Sequence, residues 1–126
     1  MNSRASVLVI DENQHESTLA ASAIALRHPG IQVKAVQSVG AALRYLQDAA
    51  APRLVILGRK ALDEAATLLN AVPAVPIVGL AAELHAAARE RAIAAGVQAI
   101  YDRPPSWPEY RDVVTEILRD WLGSGT

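Results

Sequence analysis

The chain has 126 residues, of which 52% are hydrophobic and 20% charged, with a formal net charge of -1. That composition describes one folded domain able to bury its own core, and it excludes a disordered chain. The near-neutral charge offers no basic patch for nucleic acid, and the lack of cysteine excludes disulfides, thiolate catalysis and cysteine-bound zinc.

The apolar run near the N-terminus is about five residues long, too short for a signal-peptide core or a membrane span. A cytoplasmic location without a membrane partner is therefore expected. Val7-Leu8-Val9-Ile10 is a continuous aliphatic run, the pattern of a strand buried on both faces. His15 to Arg27 carries Leu19, Ala23, Ile24 and Leu26 as a helical stripe, stopped by Pro29-Gly30. Ile31 to Val36 alternates and reads as a strand nearer an edge. Val39, Ala42, Leu43 and Leu46 mark a second helix ending before Pro52.

Leu54 to Leu57 is the third strand, and Leu62, Ala65, Ala66 and Leu69 predict a short third helix closed by Pro73. Pro76 to Leu80 is a fourth strand, with proline at its first position, where a missing N–H is tolerated. Glu83 to Ala95 is a fourth helix with Gly96 as its left-handed stop, and Ala99 to Tyr101 is a short fifth strand. Ser106-Trp107-Pro108-Glu109 has capping-box spacing and opens the last helix, whose stripe is Tyr110, Val113, Val114, Ile117, Leu118 and Trp121. Residues 1–122 form the domain, and 123–126 read as a flexible tail or the start of a linker.

Alternating strands and helices predict an α/β fold, a three-layer sandwich around a parallel five-stranded sheet. Right-handed crossovers favour the flavodoxin-like order 2-1-3-4-5. In such a sheet the chemistry gathers where the strands end. Here the first strand ends in Asp11-Glu12, the third in Gly58 and the fifth in Arg103-Pro104.

VLVIDEN, PRLVIL, PIVGLAA and GVQAIYDRPP, in this order on a five-fold βα pattern, resemble a bacterial response-regulator receiver domain, the CheY-like family, over about residues 5 to 122. The resemblance implies Mg²⁺-assisted transfer of a phosphoryl group from a partner histidine kinase onto an aspartate. The acceptor position, however, falls on Gly58. The hydroxyl position at the end of the fourth strand falls on Ala81, the lysine on Arg103, and the switch aromatic on Ile100, with Tyr101 one place later. The stretch from Gly58 to Ala81 is also shorter than the family pattern, implying a trimmed third helix or a remodelled loop. Only Asp11, Glu12 and Pro104 carry over.

These losses describe a degenerate, non-enzymatic receiver with no catalytic residue and a vestigial pocket of Asp11, Glu12, Ala81, Arg103 and Pro104. No cofactor is expected. The alternative is Mg²⁺ at Asp11 and Glu12, although a third carboxylate is missing. Two carboxylates without a metal repel, so a cation is expected to move in: Arg59, Lys60 or, foremost, Arg103, paired with Asp11 or Glu12. The resemblance also implies a cis Arg103-Pro104 bond. His15 has metal-site spacing to the acidic pair but reads as a solvated residue at a helix start.

Tyr101, Trp107 and Tyr110 are candidates for an interaction surface along helix four, strand five and helix five; a Trp107 staple onto its own helix is the competing reading. The expected function is phosphorylation-independent signalling through protein contact. Its partners would be other signalling proteins, an output domain of the same polypeptide, or a second copy. The competitors are a phosphoreceiver using Asp11 or Asp63, and a small-ligand binder of flavodoxin-like topology.

Overall fold

A computed structural model describes residues 6–123. Its five strands are β1 (Ser6–Ile10), β2 (Gln32–Val36), β3 (Leu54–Leu57), β4 (Ile77–Ala81) and β5 (Ala99–Asp102). They pair in parallel in the order β2-β1-β3-β4-β5, the expected topology. The helices are α1 (Gln14–Arg27), α2 (Val39–Asp48), α3 (Arg59–Leu62), α4 (Ala65–Ala71), α5 (Ala86–Ala95) and α6 (Trp107–Leu122). The predicted tail lies mostly outside the described residues; Gly123 is the last of them.

Strand side chains alternate between the two faces, so each strand feeds both halves of the core. Leu8, Ile10, Val55, Leu57 and Ile77 pack under α2, α3, α4 and α5. Val7, Val9, Leu54, Ile56, Val78 and Leu80 pack under α1 and α6. β1, β3 and β4 are buried on both faces, which is why their sequences read as unbroken aliphatic runs.

Three expectations need correction. The third helix is two pieces: the amides of Asp63 and Glu64 bond back three residues, to Lys60 and Ala61, and this tight turn ends α3 before α4 begins. The fourth helix begins at Ala86 and not at Glu83, because Glu83 has φ of 54° and its carbonyl is held by Arg59. On α1, Leu26 is 59% exposed, and the buried stripe runs through Ser17, Ala20, Ala23 and Ile24. Two residues past Ile24, Leu26 has turned about 200° around the helix and faces away from the sheet.

The helix ends follow their sequence signals. Asn13, Ser38 and Ser106 accept from the amides of Glu16, Ala41 and Glu109. Gly96 stops α5 at φ of 117°. In the Ser106–Glu109 pair, the Glu109 carboxylate accepts a hydrogen bond from the Ser106 hydroxyl at 2.9 Å and does not reach the Ser106 amide. Among the described residues no helix is long and apolar enough to cross a membrane.

Candidate functional site

Backbone hydrogen bonds bring the strand ends to one level. The Gly58 amide donates to Ile10, the Asp11 amide to Val36 and the Arg103 amide to Ala81. Alternation then sends Asp11, Gly58 and Arg103 to the α1/α6 face, two places beyond Val9, Ile56 and Tyr101. A cavity of about 280 Å³ opens above them, lined by Asp11, Glu12, Asn13, Glu16, Arg59, Lys60, Leu80, Ala81, Ala82 and Arg103.

The Asp11 carboxylate occupies the space that a side chain at position 58 would need. A Cβ built on Gly58 would lie 2.5 Å from Asp11 Oδ2 and 2.6 Å from Cγ. Gly58 itself has extended backbone, with φ of -76°, so it is the close approach and not the dihedral angle that calls for glycine. Asp11 Oδ1 accepts from the Asn13 amide at 3.0 Å. Burial pushes its carboxyl pKa up, the Asn13 amide pulls it down, and the negative charges of Glu16 and Glu12 raise it further; Arg103 opposes them weakly.

Arg103 enters the site as expected, but its partner is different. Nε and Nη2 make a two-pronged pair with the carboxylate of Glu16, in the first turn of α1. Its guanidinium also lies over the Tyr110 ring, 5.8 Å from the centroid. The expected pairing of Arg103 with Asp11 or Glu12 is corrected on this point: Glu12 is exposed, whereas Glu16 is half-buried beside the guanidinium. Glu16 was missed, although Asn13-x-x-Glu16 has capping-box spacing and marks an acid in that first turn. Desolvation and the neighbouring Glu16 charge hold the Tyr110 phenol far above its usual range.

The other two cations do not pair with the acids either. Arg59 Nη2 donates to the carbonyls of Ala82 and Glu83, at 3.1 and 2.8 Å, and fastens the β4–α5 loop to the start of α3. Lys60 lines the cavity and is exposed. Ala81 lines it too, 2% exposed. The Arg103-Pro104 bond is trans, as are all peptide bonds among the described residues. Trans is the lower-energy form of an X-Pro bond, and Arg103 reaches Glu16 from it.

Mg²⁺ binding needs several oxygen ligands around one point, including at least one carboxylate free to face the ion. Asp11 is seated over Gly58 and Glu16 is engaged by Arg103, which leaves Glu12, exposed at the cavity's rim, as one carboxylate where the ion needs several ligands. No three His, Asp or Glu residues share a possible metal position among the described residues, so Asp11, Glu12 and His15 form no ligand cluster. The residues present do not fit the ion. Asp63 is exposed at the α3–α4 break and does not line the strand-end cavity.

Of the three aromatic surface candidates, two are spent internally. Tyr110 is 4% exposed. The Tyr101 hydroxyl donates to Asp120 at 2.8 Å and accepts from Trp121 Nε1 at 3.0 Å. Trp107 is 38% exposed but stacks on Tyr110, with centroids 6.1 Å apart, and carries the Arg111 guanidinium over its ring. Trp107 therefore packs on the first turn of its own helix and is the one of the three that still presents a large exposed ring surface.

No family model matches the sequence, and the search of curated proteins gave no match. The fold is that of solved response-regulator receiver domains. The chain is similar to the phosphorylated cyanobacterial phytochrome response regulator RcpA, with 17% identity, a TM-score of 0.87 and 98% of each chain covered. The Mn²⁺-bound form of response regulator Rcp1 gives 15% identity, a TM-score of 0.82 and 97% of each chain. NtrX from Brucella abortus gives 20% identity and a TM-score of 0.79, over 95% of this chain and 27% of that one. At these identities the likeness is one of fold.

Proposed function

We propose that the protein is an atypical receiver domain that takes no phosphoryl group on aspartate and signals through protein–protein contact. The observation that carries this reading is the seat of Asp11 over Gly58. Position 58 has no nucleophile, and the space above it is filled by a carboxylate 2.5 Å from where any Cβ would stand. A phosphoryl group delivered there would meet Asp11, Glu12 and Glu16, with the nearest arginine already committed to Glu16. The small-ligand reading has less support, because six charged side chains, Asp11, Glu12, Glu16, Arg59, Lys60 and Arg103, line the cavity in place of the apolar wall such a site would show.

On this reading the domain is a non-enzymatic, cytoplasmic signalling module without a resident metal. Its partners are other signalling proteins or an output domain of the same polypeptide, and a homodimer through α5, β5 and α6 is the second arrangement. In NtrX the similar fold occupies 27% of a longer chain, which fits an output-domain context. Intact mass after incubation with acetyl phosphate and Mg²⁺ tests the proposal. No added phosphoryl group is expected on this chain, while a competent receiver run in parallel gains one. A phosphoryl adduct mapped to Asp11 or Asp63 would overturn it.

A further inference from the structure

β5 and the residue after it touch both the strand-end charges and the last turn of α6. Residues 100 to 103 alternate between the two faces. Ile100 packs with the α2–α5 half of the core and Tyr101 with the α1/α6 half. Asp102 lies 3.5 Å from Arg89 of α5, and Arg103 pairs with Glu16 of α1. Tyr101 and Arg103 are thus neighbours on one face, and both hold α6. Arg103 lies on the ring of Tyr110 in its first turn, while the Tyr101 hydroxyl bonds Asp120 and Trp121 in its last.

We propose that β5 is a junction coupling the Arg103–Glu16 pair to the last turn of α6, so that displacing Arg103 from Glu16 loosens the Tyr101 bonds to Asp120 and Trp121. β5 is a strand of four residues with one neighbour, β4, so a shift at Arg103 is shared with Tyr101 rather than absorbed by a second flanking strand. The two grips on α6 lie at opposite ends of a rigid helix of 16 residues, and movement of one end is felt at the other. The Tyr101 phenol is the donor to Asp120 in this chain of bonds, and burial and that acceptor both raise its pKa. A group in the adjoining cavity that competes for Arg103 or Glu16 would then act on the end of α6. This coupling stands apart from the phosphorylation reading, because neither its cause nor its readout involves an acceptor.

The test is a ¹H–¹⁵N spectrum of the whole chain. Two tryptophans give two indole N–H signals, and Trp107→Phe assigns the one from Trp121. Tyr101→Phe removes the acceptor and is expected to move the Trp121 signal most. Glu16→Gln is expected to move it in the same direction by a smaller amount, and to speed amide exchange at residues 118 to 122 by about threefold or more. Ser38→Ala, at the cap of α2 on the other face, should change neither. If Glu16→Gln does not fold, Arg103→Lys keeps the charge, loses the fork and is read the same way. The proposal is overturned if the Glu16 or Arg103 variant leaves signal and exchange at the Ser38→Ala values, or if Tyr101→Phe itself leaves the indole unmoved.

Discussion

The two faces of the sheet are covered in different ways. α1 and α6, with 14 and 16 residues, span one face and pack on each other. The other face carries four shorter pieces of 10, 4, 7 and 10 residues. The charge cluster belongs to the long-helix face: strand alternation aims Asp11, Gly58 and Arg103 there, and the first turns of α1 and α6 supply Glu16 and Tyr110 to meet them. The short-helix face holds the two places where the expected helices changed, the α3–α4 break and the late start of α5. Long helices fixed against one another can hold a half-buried ion pair in one geometry. Short ones tolerate rearrangement.

Equal truncations on the two faces should expose that difference most strongly. Leu118 and Leu68 are both fully buried, one on α6 and one on α4. Leu118→Ala is expected to lose about 4–5 kcal/mol and Leu68→Ala about 2–3, because a short helix can collapse into the cavity and a long clamped one cannot. Urea unfolding of both variants checks this, and equal losses would break the comparison. Next in size is Gly58→Ala, expected to lose about 1–3 kcal/mol by forcing its new methyl against Asp11. Asp11→Ala in the same chain should recover most of that loss. A Gly58→Ala variant as stable as the parent would mean that Asp11 leaves its seat freely.

Strand alternation made most of this legible in the sequence. Val7 to Ile10 and Leu54 to Leu57 read as strands buried on both faces that end in Asp11 and Gly58, and the register of Val9 with Ile56 in the structure then sets those two side by side. Charge predicted that a cation would enter and left Arg59, Lys60 and Arg103 as candidates; the place of Arg103 at the end of the fifth strand and its forked donors put it first. Its choice of Glu16 was not legible, because that depends on how α1 leaves β1, and a one-turn offset decides which acid faces the guanidinium. The α3–α4 break was hidden for a similar reason: Leu62, Ala65, Ala66 and Leu69 fit helical spacing, and the spacing survives a turn inserted at Asp63-Glu64. Helix period identifies the buried face but not the continuity of the helix.

The pH dependence of stability sharpens the comparison at Asp11. Its folded pKa lies above the ordinary value of 3.8 because burial and the Glu16 and Glu12 charges disfavour the anion. Between the unfolded value and the raised folded value, the folded state binds more protons, so stability falls as pH rises through that window. At neutral pH the ionised Asp11 therefore opposes folding. Asp11→Asn keeps the acceptor for the Asn13 amide and should be more stable than the parent at pH 7, with the advantage shrinking as pH is lowered past the folded value. Denaturant midpoints of both proteins across that range decide it; a constant difference would place the Asp11 charge outside the balance.

The smallest effect is expected on the opposite side of β5. Arg89 approaches Asp102 at 3.5 Å, with the carboxylate side chain 84% exposed, through a single long contact. Solvent screens such a pair, and holding two mobile side chains together offsets most of what remains, so Asp102→Asn should change stability by less than about 0.5 kcal/mol. Arg103, just past the end of β5, likewise meets a single helix residue, Glu16 of α1, yet their side chains are 28% and 19% exposed and meet through two prongs. Glu16→Gln should therefore cost several times as much, because it leaves a half-buried guanidinium without its counter-charge. If the two variants proved equally mild in thermal unfolding, the long-helix face would hold its charges no more firmly than the short-helix face. The placement of the site would then follow from strand alternation alone.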